Sequence, residues 1–176
     1  MKIEFGCGSK ALTKGWVGCD VRKFPSVKYV CPCWEIHTHV PAGSVEEIYS
    51  RHMFEHLTFK QGENTLKSWS KILKKGGKVG LELPDLHYHV GEYIEYFENR
   101  GSNKKMPSFK HAIAGFYGWQ RESEKSGDFT SDKTTWDIHK SGYDFVSLKS
   151  LVEKYGFKNF KRNNSKPWNL NVSFTL

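Results

Sequence analysis

The chain has 176 residues, of which 38% are hydrophobic and 26% are charged, and its net charge is +8. These values suit a globular protein with one core, and no apolar run approaches the ~20 residues that span a bilayer, which excludes a membrane partner. The charge permits an anionic partner such as nucleic acid, but no run of five like charges occurs, so solvated helix faces are the favoured explanation. We expect a single domain over residues 1–176, in the cytoplasm, because strand-like residues occupy the position of a signal peptide.

The first two predicted strands are separated by glycines and end in an acid. Residues 2–5 form a short run that ends at Gly6 and Gly8, and residues 16–19 form a second run that ends at Asp20. In an open α/β sheet a nucleotide-like ligand lies across such strand ends, with its ribose held by the acid. The alternative is an ordinary turn, because a lone pair of glycines is a weak signal. The third glycine of the dinucleotide fingerprint is missing, so we predict a very short or absent first helix and no NAD.

A third strand is predicted over Val27–Val30, followed by a loop over residues 31–43 that contains Pro32, Pro41 and Gly43. All four cysteines of the chain are expected to be free thiols in a reducing compartment. The loop holds four side chains of zinc-ligand type: Cys31, Cys33, His37 and His39. Their spacing is tighter than that of usual zinc sites, so we predict loop residues near a ligand pocket and no metal.

The fourth strand, predicted over residues 45–50, leads directly into a cluster of polar side chains. His52, Glu55 and His56 follow it within six residues. Such positions, just past the carboxyl end of a strand, are where α/β sheets bind ligands. We favour a site role for His52, and a structural role in a short helical turn for Glu55 and His56.

The next helix has clear boundaries. Thr58 and Gln61 predict a capping box at its start, and four apolar side chains share one face at helical spacing: Leu66, Trp69, Ile72 and Leu73. Lys71, Lys74 and Lys75 are expected in its last turn, before Gly76 and Gly77 end it. A fifth strand follows over residues 78–83, and Asp85 is then either a site acid at the strand end or the N-cap of the next helix.

The last part of the chain continues with a predicted helix over residues 86–101. Residues 101–141 carry glycines, lysines and six aromatic residues, which predicts an inserted lid or substrate platform with a helix near 109–116. A helix capped by Ser147 and two final strands, over 157–162 and 170–175, complete the chain. We expect the two final strands to form an antiparallel pair and the others, joined by crossovers, to be parallel.

Several segments together resemble the class I S-adenosylmethionine-dependent methyltransferases, and more narrowly a small bacterial and phage branch of the type 11 kind. The segments that carry the resemblance are residues 4–8 (EFGCG), 15–20 (GWVGCD), 44–57 (SVEEIYSRHMFEHL), 73–78 (LKKGGK), 83–86 (LPDL) and 139–143 (HKSGY). The resemblance implies an α/β, Rossmann-like fold: a mostly parallel sheet with a C-terminal antiparallel strand pair and an inserted lid segment. It also implies S-adenosylmethionine as the cofactor.

The resemblance further implies a role for individual residues. Those expected to bind the cofactor are Glu4, Phe5, Gly6, Cys7, Gly8, Asp20, Val21, Trp34, Ser50 and His52. Asp20 corresponds to the acid that accepts both ribose hydroxyls. The family often has an acid after the third strand that binds adenine. Residues 31–35 replace that region here, so the backbone, Trp34 or Glu35 would bind the ring.

A sulfonium methyl is already activated, so the enzyme mainly aligns the nucleophile, the methyl carbon and the sulfur. A hydroxyl nucleophile must also lose its proton, and His52, His139 and Asp85 are the candidate catalytic residues. By analogy with the branch, the expected acceptor is the hydroxyl of a small molecule or glycan. Two alternatives stay open: an RNA or DNA methyltransferase, and a non-catalytic S-adenosylmethionine-binding module or interaction module with a decayed site. The sequence leaves the oligomeric state undetermined.

Overall fold

The computed structural model of the protein describes residues 1–10, 12–101, 107–119 and 138–176. Seven strands form one sheet: β1 (Lys2–Phe5), β2 (Trp16–Asp20), β3 (Val27–Val30), β4 (Val45–Arg51), β5 (Leu73–Pro84), β6 (Lys158–Arg162) and β7 (Asn169–Thr175). The α-helices of the described residues are α1 (Phe59–Ile72), α2 (Leu86–Glu98), α3 (Phe109–Tyr117) and α4 (Phe145–Lys154). Two 3₁₀ helices occupy Cys33–Thr38 and Phe54–His56.

The strands lie in the order β3-β2-β1-β4-β5-β7-β6. The pairs among β1 to β5 are all parallel, whereas β7 is antiparallel to both β5 and β6. The predicted α/β fold, a mostly parallel sheet with an antiparallel C-terminal pair, is therefore confirmed. Phe5 at the end of β1 lies opposite Cys19 of β2 and Ser50 of β4. The glycine turn, Asp20 and His52 consequently follow neighbouring strands at one edge of the sheet.

The core is formed by the sheet together with helices α1 and α4. Ile3 and Phe5 of β1 and Ile48 of β4 are at most 1% exposed, as is Trp69 of α1. The rings of Phe5 and Trp69 are 5.0 Å apart. Each such fully buried side chain contributes about 1.5–3 kcal/mol relative to an exposed one. This packing fixes the strand ends that carry the candidate site.

Helix α1 begins as predicted and ends earlier than predicted. The Gln61 amide donates to the Thr58 hydroxyl at 3.3 Å, and the Gln61 side-chain oxygen accepts from the Thr58 amide at 2.9 Å, which confirms the capping box. The prediction that the helix continues to Gly76 is wrong, because β5 already begins at Leu73. Pairing of Leu73 with Val45 in β4 replaces the last helical turn, and Lys74 contacts Glu46 at 2.8 Å instead.

Two further predictions of local structure are corrected. The segment predicted as a loop over 31–43 contains the 3₁₀ helix Cys33–Thr38. Helix α4 begins at Phe145 rather than after Ser147, because the Asp144 carboxylate is the cap and accepts from the Ser147 amide at 2.7 Å. A carboxylate and a hydroxyl are both good caps, so the sequence alone did not decide between them.

The predicted lid over 101–141 falls largely outside the described residues, which in this region are 101, 107–119 and 138–141. The helix predicted within it near 109–116 is confirmed as α3. Two of its six aromatic residues, Phe129 and Trp136, lie outside the described part. In the described ranges, no helix combines the length and apolar character that crossing a membrane requires.

Candidate functional site

A tight turn between β1 and β2 requires glycine at two positions. Gly6 has φ +68° and Gly8 has φ +58°, and both values lie in the left-handed region that side chains disfavour. A Cβ atom on Gly6 would also lie 2.6 Å from the Cβ and Cγ atoms of Met53. The Gly6 amide donates to the Cys19 carbonyl at 2.8 Å. Residues 6–10 and 12–15 contain no helix, which agrees with the expected short first connection.

The carboxylate of Asp20 is held in place by the turn. Asp20 is only 5% exposed, and its Oδ2 accepts from the Gly8 amide at 2.9 Å. Its Oδ1 accepts from the backbone amide of Arg22 at 2.9 Å and from the Arg22 Nε at 3.3 Å. A carboxylate has about four acceptor positions, so these contacts leave about one for a ligand. The Arg22 side chain is half-exposed and borders the same space.

The turn and Asp20 border a cavity of about 290 Å³, which we call the glycine-turn cavity. It is lined by Gly6, Cys19, Asp20, Val21, Arg22, Cys31, Cys33, Trp34, His52, Met53, His56, Leu57, Gln61 and Lys140. Half of the ten predicted cofactor-binding residues line it: Gly6, Asp20, Val21, Trp34 and His52. Sequence reasoning missed Met53, Gln61 and Lys140, which reach the cavity from distant segments.

The other five predicted cofactor-binding residues are not among those that line the glycine-turn cavity. Phe5 packs in the core at 1% exposure, and the Cys7 thiol, also buried, points at the Cys19 carbonyl, 3.9 Å away. Gly8 acts through its amide on Asp20. Ser50 is fully buried, and its hydroxyl has no hydrogen-bond partner among the described residues. Glu4 is partly buried, and burial raises the pKa of its carboxyl.

A second cavity of about 750 Å³ adjoins the first, and we call it the histidine-lined cavity. It is lined by Lys10, Arg51, His52, Glu55, His56, Pro84, His89, His111, Ala114, Gly115, Trp119, His139, Lys166, Trp168 and Asn169. His52 and His56 border both cavities. These two histidines are therefore walls that the two cavities share.

His52 is held at this junction by an unusual backbone. Its φ is +48°, and its amide donates to the Glu82 carbonyl at 2.8 Å. A non-glycine residue in this region costs about 1–3 kcal/mol, and such residues cluster at functional sites. The Nδ1 atom of His52 lies 3.3 Å from Oε1 of Glu55. His52 therefore lies just past the strand end, and the carboxylate of Glu55 orients its ring.

Three further side chains gather beside His52: Glu55, His56 and His139. One possible ligand atom from each lies within 4.8 Å of the others, and the rings of His56 and His139 are 5.1 Å apart. The amides of Lys140 and Ser141 both donate to the Glu55 carbonyl, at 2.8 and 3.1 Å. Burial lowers the pKa of the His139 imidazole, and the Glu55 carboxylate partly offsets this effect. The short helical turn expected for Glu55 and His56 is the 3₁₀ helix Phe54–His56, and both side chains also line the histidine-lined cavity.

The third predicted catalytic residue, Asp85, occupies a different environment. It is 3% exposed, caps α2 by accepting from the His87 amide at 3.1 Å, and forms an ion pair with Arg162. The N-cap alternative is therefore confirmed. Asp85 is not among the residues that line either cavity.

The cysteine and histidine side chains that follow β3 contact different residues. All four cysteines of the chain are free thiols, as expected. The Cys33 thiol lies 3.2 Å from the Thr65 hydroxyl, the Cys31 thiol 3.9 Å from that of Cys19, and the His37 Nδ1 2.9 Å from the Ser68 hydroxyl. Within the described residues, these side chains do not converge on one point. A second group with metal-ligand chemistry instead lies on α2 and α3, formed by His89, Glu92 and His111.

Comparisons with solved structures identify the fold of the chain. A methyltransferase from Archaeoglobus fulgidus, described as SAM-dependent, matches with a TM-score of 0.60 and 14% identity, over 99% of this chain and 85% of that one. A second, from Methanosarcina mazei, has a TM-score of 0.55 and 12% identity, over 99% and 89%. The chain has the fold of the S-adenosylmethionine-dependent methyltransferases. A third structure with this fold is the Burkholderia thailandensis 1,6-didemethyltoxoflavin-N1-methyltransferase with bound 1,6-didemethyltoxoflavin and S-adenosylhomocysteine. It matches with a TM-score of 0.53 and 10% identity, over 99% of this chain and 68% of that one. No protein-family model matches the sequence, and no curated protein is significantly similar to it.

Proposed function

We propose that the protein is an S-adenosylmethionine-dependent methyltransferase that acts on a hydroxyl group of a small molecule or glycan. The observation that carries this proposal is the pair of adjoining cavities that meet at His52 and His56. A methyl transfer needs a donor and an acceptor in contact at one point and otherwise in separate pockets. The glycine-turn cavity would hold the donor and the histidine-lined cavity the acceptor.

The cofactor would lie along the strand ends with its ribose on Asp20. The remaining acceptor capacity of this buried carboxylate suits a ribose hydroxyl, and a second hydroxyl would replace the Arg22 side chain on Oδ1. The Trp34 ring lines the same cavity as Asp20 and offers an apolar wall for adenine. The missing acid after β3 is thus compensated by a ring that can stack.

The reaction needs alignment more than activation. The acceptor oxygen attacks the methyl carbon, the carbon–sulfur bond breaks, and its electron pair stays on sulfur. Holding the three atoms in line contributes several kcal/mol, about 7–11 in the best cases. His52 and His139 border the acceptor cavity, whereas Asp85 does not. The two histidines are therefore the better candidates for assisting loss of the hydroxyl proton.

The lining of the histidine-lined cavity supports the acceptor class. Its volume lies in the usual range for small-molecule sites, and Trp119 and Trp168 offer apolar faces for a sugar ring or a flat aromatic ring. Lys10 and Lys166 add positive charge. The same residues also keep the nucleic-acid alternative open, because stacked bases and phosphates need the same chemistry.

Titration calorimetry with S-adenosylhomocysteine tests the proposal. We expect the wild-type protein to bind it and Asp20→Ala to lose at least tenfold in affinity. Asp144→Ala, which removes an acid that lines neither cavity, is the matched control and should bind normally. Absence of binding to the wild-type protein would overturn the proposal and favour a non-catalytic interaction module with a decayed site.

The acceptor class is tested separately by a salt series. A nucleic-acid methyltransferase would bind polynucleotides with an affinity that falls steeply, linearly in the logarithm of salt concentration. We expect only weak polynucleotide binding at physiological salt and methyl transfer from labelled cofactor to hydroxylated glycans or small molecules. Tight, steeply salt-dependent binding with methylated nucleic acid as the product would replace the hydroxyl proposal by the alternative.

A further inference from the structure

We propose that Glu55, His56 and His139 bind one divalent transition-metal ion, and that this ion binds the acceptor hydroxyl. The inference rests on the proposed function for the identity of the acceptor cavity. No metal was expected from the sequence, where attention fell on the cysteines and histidines after β3. The three residues named here instead come from two segments more than 80 residues apart, and one ligand atom from each lies within 4.8 Å of the others.

Both histidine rings are oriented as metal ligands usually are. The Nδ1 atom of His56 lies 3.1 Å from the Ile138 carbonyl, and that of His139 lies 3.0 Å from the Gly115 carbonyl. A carbonyl oxygen can only accept, so Nδ1 carries the hydrogen in each ring and the lone pair is on Nε2. Metal-binding histidines typically donate their other N–H to a carbonyl or carboxylate in this way.

The carboxylate of Glu55 has an unused oxygen. Glu55 is 2% exposed, and its Oε2 is buried without a hydrogen-bond partner among the described residues. Its other oxygen lies 3.3 Å from His52. A buried carboxylate oxygen with no donor is unfavourable, and a cation bound to it would remove that cost.

The polypeptide backbone holds these ligands together. The 3₁₀ helix Phe54–His56 carries two of them, and its Glu55 carbonyl accepts from the amides of Lys140 and Ser141. The His139 amide donates to the Tyr117 carbonyl at 3.3 Å, next to the end of α3. Ligands fixed in this way lose little freedom on binding an ion.

All three side chains also line the histidine-lined cavity. Two histidines and one glutamate with an open fourth position are a typical ligand set of catalytic zinc sites, and imidazole ligands also suit iron, copper and nickel. With the ion bound, His139 would assist loss of the hydroxyl proton through the metal and not as a base. An acceptor hydroxyl in the fourth position would lose its proton to solvent more readily, because the ion stabilises the resulting alkoxide. The alkoxide oxygen then bonds to the methyl carbon as the carbon–sulfur bond breaks.

The second group of potential ligands, His89, Glu92 and His111, provides a control. Its carboxylate is already occupied, because both oxygens of Glu92 lie within 2.9 Å of Nδ1 of His111. We therefore expect His111→Gln to leave metal binding at the first group unchanged.

The test uses the full-length protein, stripped with a chelator and dialysed against Zn²⁺ or Mn²⁺, with bound metal measured by mass spectrometry. We expect about one ion per chain in the wild-type protein and in His111→Gln. Changes in the residues around a metal ligand typically weaken metal binding ~10–100-fold, and removal of the ligand itself should weaken it at least as much. We therefore expect Glu55→Gln and His139→Asn to retain no metal. Thermal melting reports whether each variant is folded, and His56→Gln replaces any variant that is not.

Calorimetry with S-adenosylhomocysteine on the same samples separates the two proposals. Retained cofactor binding with stoichiometric metal in the wild-type protein and none in the ligand variants supports the metal site. Cofactor binding without stoichiometric metal in the wild-type protein overturns the metal site alone. Equal metal content in the wild-type protein and the ligand variants overturns it as well. Absence of cofactor binding overturns the proposed function whatever the metal content.

Discussion

Replacement of Gly6 by alanine should destabilise the protein more than the same change at Gly15. Both glycines have a left-handed backbone, with φ values of +68° and +89°. They differ in the space around an added Cβ, which at Gly6 would lie 2.6 Å from two atoms of Met53. At Gly15 it would meet nothing within 4 Å. The pair therefore separates backbone strain from steric conflict.

The expected magnitudes follow from these two contributions. A left-handed alanine costs about 1–2 kcal/mol at either position. Forcing an extra carbon into a packed site adds about 1–3 kcal/mol at Gly6 only. Gly6→Ala should therefore lower the free energy of unfolding by about 2–5 kcal/mol, and Gly15→Ala by about 1–2 kcal/mol. Gly18→Ala adds a third case: its φ is ordinary, but a Cβ there would lie 2.6 Å from the Cys7 sulfur, so only the second cost of about 1–3 kcal/mol applies.

Urea unfolding followed by tryptophan fluorescence measures all three variants. S-adenosylhomocysteine affinity, measured on the folded samples, should fall at least tenfold for Gly6→Ala, because Gly6 and Met53 both line the glycine-turn cavity. It should be unchanged for Gly15→Ala. Equal losses of stability at Gly6 and Gly15 would refute the reasoning, since the contact with Met53 would then be irrelevant.

Three further predictions concern the cap of α1, the ion pair of Asp85 and the thiols. Thr58→Ala removes the capping box and should cost about 1 kcal/mol in urea unfolding; an unchanged midpoint would contradict the assigned cap. Asp85→Asn keeps the cap of α2 and loses only an ion pair with a half-exposed arginine, so it should cost less than about 1 kcal/mol and preserve methyl transfer. Abolished transfer in a folded protein would instead assign catalysis to Asp85. Burial raises the pKa of Cys7 to about 11 and of Cys33 to about 12, whereas the hydrogen bond from Cys19 lowers that of Cys31. At pH 8, Ellman's reagent should therefore modify Cys31 first and S-adenosylhomocysteine should slow it; equally fast reaction of all four thiols would contradict this.

The sheet was largely predictable because its signals are local. Strand ends and helix starts are indicated by signals within a few residues: the glycines at positions 6 and 8, the acid at position 20 and the capping box at Thr58. The end of α1 was not predictable in this way, because pairing of Leu73 with β4 determines it and such pairing is a tertiary interaction. The predicted start of α4 was wrong because two suitable caps, Asp144 and Ser147, lie three residues apart.

The candidate site was predictable only in part, for the same reason. His52 follows a strand end directly, so its place was visible in the sequence. The contribution of Glu55 and His56 depends on hydrogen bonds to residues 138–141, more than 80 positions away. Asp85 carried a strand-end signal too, but its partner Arg162 lies on β6 and could not be identified beforehand.

A crystal structure of the protein grown with S-adenosylhomocysteine tests the central claim most directly. We expect electron density in the glycine-turn cavity, with at least one ribose hydroxyl within hydrogen-bond distance of the Asp20 carboxylate and the sulfur facing His52. A ligand bound elsewhere, or a ribose without contact to Asp20, would contradict the account.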